Sequence, residues 1–136
     1  MNINEITEKI IGAAITVHRA LGPGLLESAY EACFVIELKK RELRVEQQKP
    51  IPVTYGDIQI ACAYRLDLLV EGQVIIEIKA VAKLEKIHTA QMLTYLRLTG
   101  SPIGLIFNFN EEILSRGIRR VVLGLPKTSE LAQTPR

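Results

Sequence analysis

Three charged residues, Asp67, Glu77 and Lys79, interrupt two segments that are otherwise almost entirely apolar. The segments, 65–70 and 73–79, are typical of neighbouring strands in a sheet that is covered on both faces, because they lack the regular alternation of a strand with one solvated face. An ionised group buried in such a strand without a partner is costly. The fold must therefore give these three charges partners.

The connection between the two strands decides whether the carboxylates can meet. A two-residue turn at Glu71–Gly72 would place Asp67 and Glu77 on opposite faces of the sheet. A three-residue connection over 71–73 sets Asp67 directly opposite Glu77, so that both lie on one face. We expect the three-residue connection or a bulge, because only that register brings the carboxylates together.

In that register Lys79 shares the face of the carboxylates, whereas Leu66, Leu68 and Val70 are expected on the face opposite to Asp67. Two carboxylates beside an ammonium suit Mg²⁺ or Mn²⁺, and the lysine can orient a water molecule. Such a site favours phosphodiester hydrolysis. A purely structural ion pair of Lys79 with either acid explains the same residues equally well at this point.

A helix predicted over 83–98 carries polar residues within an apolar stripe. The stripe consists of Leu84, His88, Gln91, Tyr95 and Leu98. A buried glutamine amide and tyrosine hydroxyl need hydrogen-bond partners, which would be a substrate phosphate near the metal site or backbone groups inside the protein.

Two further helices begin the chain. Apolar residues recur at helical spacing from Ile3 to Leu21 after an Asn2–Glu5 capping box, and a second helix runs from beyond Gly24 towards the basic residues 39–41. Glu27 lies in its first turn, where the helix dipole alone favours a carboxylate. Its place at the edge of the apolar face would also let it reach the metal.

Period-two patterns predict strands over 45–47, 51–55 and 58–62. Apolar runs predict the two strands 65–70 and 73–79 before the third helix and the buried strand 102–109 after it, and a last strand covers 118–123. The order ααβββββαββ predicts an α/β (α+β) fold with a mixed central sheet flanked by helices.

Composition limits the remaining possibilities. The 136 residues, 48% hydrophobic and 24% charged, predict one domain over 1–125, followed by a weakly ordered tail over 126–136. A net charge of +2 excludes a protein that coats polyanions by bulk charge. The apolar runs are too short for a membrane span and no secretory signal precedes the domain, so we expect a cytoplasmic protein. Cys33 and Cys62, without metal-binding spacing, are expected to be buried reduced thiols.

Several blocks of the sequence resemble one known family. Gly24-Leu-Leu-Glu27-Ser-Ala-Tyr30 matches the signature of the GxxExxY family, and three later blocks follow in the same order. These blocks are Tyr64-Arg-Leu-Asp67, Ile76-Glu77-Ile-Lys79 and His88-Thr-Ala-Gln91-Met-Leu-Thr-Tyr95. The resemblance extends from about residue 3 to 123, and the family that the chain resembles is placed in the PD-(D/E)xK nuclease superfamily.

The resemblance implies a restriction-endonuclease-like core and a Mg²⁺-dependent phosphodiesterase site. Asp67, Glu77 and Glu27 would be its metal ligands, and Lys79 would position the water or stabilise charge. Gln91 and Tyr95 would match the QxxxY element, which we expect to contact the substrate.

Three hypotheses follow. The first is a Mg²⁺- or Mn²⁺-dependent nuclease acting on DNA, which we expect to be a homodimer because a weakly charged surface grips a duplex poorly. The second is a non-catalytic module that keeps the nuclease fold to bind nucleic acid or a partner protein, which a closed ion pair of Lys79 with the acids would favour. The third is an enzyme for a small phosphorylated metabolite, which a narrow pocket would favour.

Overall fold

A computed structural model describes residues 1–124, except for the side chains of Cys62 and Ala63. The predictions for Cys62 and for the tail 126–136 lie outside these described residues. The elements, in chain order, are α1 (Ile3–Leu21), α2 (Glu27–Lys40), β1 (Val45–Tyr55), β2 (Ile58–Val70), β3 (Val74–Lys79), α3 (Lys86–Thr99), β4 (Ile103–Asn108), a 3₁₀ turn (Leu114–Gly117) and β5 (Ile118–Val122).

The strands form one five-stranded mixed sheet in the order β1-β2-β3-β4-β5. β3 and β4 are parallel and joined through α3, whereas the other neighbours are antiparallel. The predicted mixed sheet flanked by helices is confirmed. Three strands rather than five precede α3, because the two predicted breaks do not end a strand. They are irregularities inside β1 and β2. Gln48 has a positive φ of 50°, and the pairing of β1 with β2 shifts its register between Ile51 and Val53.

The helices divide the core into two parts, one on each face of the sheet. α1 and α2 cover one face, where Phe34 packs edge-on against Phe107 and Phe109. α3 covers the other face through Met92, Tyr95 and Leu96. Cys33 is half-buried against the first core rather than fully buried, because it lies beside the solvent-facing side of α2.

Helix termini follow their capping groups. The Asn2–Glu5 capping box at the start of α1 is present, as the sequence predicts. α3 begins at Lys86 rather than Lys83, because the Glu85 N–H donates to His88 Nδ1 at 2.9 Å and the His88 N–H donates to the Glu85 carbonyl oxygen at 3.1 Å, which fixes the first turn there. None of the helices in the described part of the chain combines the length and apolarity that a bilayer crossing requires.

Candidate active site

The connection between β2 and β3 sets the register of the two carboxylates. Val70 pairs with Val74, Leu69 with Ile75 and Leu68 with Ile76. Glu71 and Gly72 have φ values of 53° and 64°, the left-handed conformation that lets the chain reverse over three residues. The predicted three-residue connection is confirmed, and Asp67 lies opposite Glu77 as a result.

Backbone pairing between β2 and β3 stops at Leu68 and Ile76, the sequence neighbours of Asp67 and Glu77. At the two acids, hydrogen bonds from side chains replace the backbone hydrogen bonds of the sheet. The Asp67 N–H donates to Glu77 Oε2 at 3.1 Å, and the Ile78 N–H donates to Asp67 Oδ2 at 2.8 Å. Each carboxylate thus bonds to the opposite strand, which holds both acids at the place where the strands separate.

Both acids occupy an environment that disfavours negative charge. Glu77 is 7% exposed, and burial together with repulsion from Asp67 raises its pKa to about 8. Burial, followed by repulsion from Glu31, also raises the pKa of Asp67, although the Ile78 N–H opposes this change. A cation placed between the two groups would remove this electrostatic cost.

Lys79 lies two residues beyond Glu77 at the end of β3 and is half-buried. Within the described residues no Lys79 nitrogen lies within 4.0 Å of a carboxylate oxygen. Its charge nevertheless lowers the pKa of both Asp67 and Glu77, although in each case the raising effects are larger. The closed ion pair that would favour a purely structural role is therefore not what the described residues form.

A segment held by Asn108 follows Lys79. Asn108 is fully buried, and its side chain accepts from the Val81 N–H and donates to the Val81 carbonyl oxygen, both at 3.0 Å. The Lys79 carbonyl oxygen accepts the Phe109 N–H at 2.9 Å. These bonds fix the backbone at Lys79 and just after it, and sequence reasoning assigned no role to Asn108.

One expectation about side-chain direction is wrong. Leu68 and Val70 belong to the core under α1 and α2, as predicted, but Leu66 belongs to the core under α3. The pairing of β1 with β2 skips Gln48 and Asp67, and the left-handed φ at Gln48 marks a kink there. The kink turns the strand so that Leu66 and Leu68 face different cores although they are two residues apart.

A second acid on α2, Glu31, approaches the site. Gln48 Nε2 donates to both Glu31 carboxylate oxygens, at 2.9 and 3.1 Å, and lies 3.5 Å from Asp67 Oδ1. Sequence reasoning missed both residues. Glu31 lies four positions after Glu27, and that spacing, which places two acids on one helix face, is the signal that would have found it.

Glu27 is exposed in the first turn of α2, and its charge contributes to raising the pKa of Glu77. Tyr30 fixes the loop before it. The Tyr30 hydroxyl donates to the Gly22 carbonyl oxygen at 2.6 Å and accepts the Leu25 N–H at 3.1 Å, while its ring stacks on Phe109. The tyrosine of the GxxExxY block thus positions the start of the helix that carries the glutamate.

On α3, Tyr95 faces the acids and Gln91 does not lie in the core. Tyr95 is buried beside Tyr64 at 6.0 Å between ring centroids, and burial followed by the charges of Glu77 and Asp67 raises its pKa. Gln91 is exposed rather than buried, and so is Leu98, because α3 turns Met92 and Leu96 towards the sheet. An exposed amide remains available to a substrate.

The donor set fits a hard divalent cation. Asp67 and Glu77 supply oxygen ligands whose ionisation is disfavoured by burial, and Mg²⁺ is commonly held by one or two carboxylates and several waters. Across the described residues no cluster of three or more acids, histidines or cysteines has metal-ligand spacing. Glu27 therefore does not complete a three-acid cage in this conformation.

Comparisons with known proteins agree with the fold of this chain. The crystal structure of SSO0001 is similar to this chain, with a TM-score of 0.55, 18% sequence identity, and coverage of 79% of this chain and 56% of that chain. This chain thus spans 56% of the length of SSO0001, and the likeness concerns the fold. No curated protein matches the chain. The family model of the PD-(D/E)XK nuclease superfamily matches residues 4–121, and the chain therefore belongs to that superfamily.

Proposed function

We propose that this protein is a metal-dependent nuclease that hydrolyses DNA phosphodiester bonds. In this proposal Asp67 and Glu77 bind Mg²⁺ or Mn²⁺, with Glu27 as a further ligand once the metal is in place. The observation that supports it best is the pair of desolvated carboxylates with raised pKa values, held opposite each other by hydrogen bonds to the facing strand.

The residues around the acids have separate tasks in this reaction. When bound, a divalent cation supplies Lewis-acid charge at the scissile phosphate and makes water acidic enough to attack at neutral pH. The Lys79 ammonium orients the attacking water and stabilises the extra negative charge on the phosphoryl oxygens. Tyr95 and Gln91 donate hydrogen bonds to the substrate phosphate from α3.

A basic groove beside the first turns of α3 supports a nucleic-acid substrate. It has a volume of about 890 Å³, and Lys83, Lys86 and Arg119 contribute to its walls. Arg119 is held in place, since its Nη1 donates to the Glu85 carbonyl oxygen at 3.0 Å and to Thr89 Oγ1 at 2.8 Å. Cations in this position attract a phosphate backbone.

The proposal includes the finer assignments that the sequence suggests. The chain is a member of the GxxExxY branch, residues 1–125 act as a single nuclease domain, and the protein works in the cytoplasm. Two copies form a homodimer, because a domain with a net charge of +2 has little charge with which to grip a duplex alone.

Cleavage of supercoiled plasmid DNA, with and without Mn²⁺, tests the proposal. The wild-type protein should nick the plasmid only with metal, and Asp67→Asn should lose this activity while keeping an oxygen that accepts the Ile78 N–H. Asp57→Asn, at the turn between β1 and β2, is the matched control. Protein that takes up neither Mg²⁺ nor Mn²⁺ and leaves the plasmid intact would contradict the proposal.

A further inference from the structure

The β1–β2 hairpin extends beyond the sheet. β2 runs from Ile58 to Val70, but its pairing with β3 covers only Leu68 to Val70. The earlier residues of β2 have β1 as their ladder partner among the described strands, out to the pair of Tyr55 with Ile58. We call residues 53–64 the arm. A two-stranded hairpin without a third strand is marginally stable in water, so this extension needs a partner.

The arm carries an apolar face that nothing in the described residues covers. Val53 pairs with Ile60 and Tyr55 with Ile58, so these four side chains share one face. Tyr55, Ile58 and Ile60 are 78%, 66% and 48% exposed. One face of a short hairpin thus presents a contiguous apolar surface, which on soluble proteins marks an interaction site.

The charges of the arm identify the class of partner. Residues 51–64 contain one charged residue, Asp57 at the turn, and no Lys or Arg. A surface that binds nucleic acid needs cations to neutralise phosphates, and this segment has a net negative charge. The partner surface is therefore apolar protein.

The two strands of the hairpin differ in how their edges are protected, and the difference points to self-association. β1 contains Lys49, Pro50 and Pro52 just before the arm, and these residue types protect an edge from pairing with another strand. Residues 58–64 of β2 contain neither proline nor charge. An unprotected edge beside an uncovered apolar face is a risk for aggregation unless a defined partner occupies both.

We propose that the arm is the homodimer contact, in which the arms of two copies pack through their apolar faces across a twofold axis. In such an isologous contact the same patch of each copy meets its counterpart, so an apolar patch is its own matching surface. Stable interfaces bury roughly 800 Å² on each partner. Tyr55, which is 78% exposed, offers the largest side chain for such a contact, and the exposed parts of Ile58 and Ile60 surround it. The inference names the surface of the proposed dimer and requires no catalytic activity.

Sedimentation velocity of the full chain without DNA or metal, over two decades of protein concentration, tests the contact. The wild-type protein should dimerise, and Ile58→Lys should raise the dissociation constant at least tenfold, because the substitution occurs twice across the axis. Gln59→Lys lies on the opposite face of the same strand, and Ile36→Lys is on α2 with 53% exposure. Both should leave the dissociation constant within about twofold.

Circular dichroism of each variant establishes that it is folded. A wild-type protein that stays monomeric over the whole range would overturn the inference, as would equal weakening by Ile58→Lys and Gln59→Lys. If the protein is monomeric and Ile58→Ala instead weakens duplex DNA binding, the face contacts nucleic acid and the inference is wrong. Loss of plasmid nicking in a protein that still dimerises would contradict the proposed nuclease but leave the contact standing.

Discussion

Asp67 and Glu77 exchange hydrogen bonds across two strands at the point where backbone pairing stops. Asp67 gives its N–H to the Glu77 carboxylate, and the Asp67 carboxylate receives the N–H of the residue after Glu77. The acids are thereby held by the backbone rather than by flexible side chains around them. Preorganised ligands of this kind need little rearrangement when a cation binds.

Lys79→Met should separate metal binding from catalysis. The variant should keep its Mn²⁺ affinity, because the carboxylates remain, while plasmid cleavage falls at least ~100-fold as the attacking water loses its orienting group. Isothermal titration calorimetry and a nicking assay measure the two effects. Lys39→Met, at the exposed end of α2, is the control. Equal activity of Lys79→Met and wild type would exclude the assigned role.

The metal-free protein should lose stability as pH rises from about 5 to about 9. In the folded state Glu77 keeps its proton until a pKa of about 8, whereas the unfolded chain releases it near 4.5. The folded state therefore binds more protons in this window, and the free energy of unfolding falls as pH rises. Asp67, whose pKa is also raised, acts in the same direction.

Glu77→Gln isolates this contribution. Its melting temperature should exceed that of wild type by several degrees at pH 8 without metal, because the amide is neutral and still accepts the Asp67 N–H. Addition of Mn²⁺ should stabilise wild type and not the variant. Glu112→Gln, an exposed acid, should follow wild type in both measurements. Parallel pH profiles for Glu77→Gln and wild type would refute the prediction.

Gln48→Gly should weaken metal binding without unfolding the site. Glycine adopts the left-handed φ of this position easily, but the variant lacks the amide that joins Glu31 to Asp67. We expect a loss of Mn²⁺ affinity of about tenfold by calorimetry. Glu42→Gly, at another left-handed residue remote from the acids, is the control and should bind as wild type does. A variant that binds Mn²⁺ with unchanged affinity would show that Gln48 does not position Asp67.

Tyr30→Phe should destabilise the protein by about 1–3 kcal/mol, because the Gly22 carbonyl and the Leu25 N–H both lose their partner while the ring stays on Phe109. Urea denaturation measures the loss, and hydrogen exchange should speed up in the loop between α1 and α2. The matched control is Tyr55→Phe, since Tyr55 is exposed. Equal stability of the two variants would mean that the loop does not depend on the hydroxyl.

The sequence predicted the site through the strand register. Only a three-residue connection over 71–73 brings both carboxylates onto one face, and the structure forms this connection with left-handed Glu71 and Gly72. Periodicity likewise predicted the three helices and the mixed sheet. Register is a local property of a hairpin, so it can be worked out from neighbouring residues.

The kink at Gln48 could not be worked out in this way. No sequence signal marks a glutamine in the left-handed conformation, because the free-energy cost of that conformation is offset by tertiary contacts such as the hydrogen bonds to Glu31. The direction of Leu66 and the contact of Gln48 with Asp67 follow from that kink. The exposure of Gln91 was missed for a similar reason, since small rotations of a helix about its axis depend on how Met92 packs against Gly104.

The change of face between Leu66 and Leu68 anchors β2 on both sides of Asp67. Leu66 is buried in the core under α3, and Leu68 is buried in the core under α1 and α2. The peptide that carries the carboxylate therefore lies between two buried side chains that belong to opposite faces of the sheet. Truncation of either leucine should disturb the position of Asp67 as well as the core on its own side.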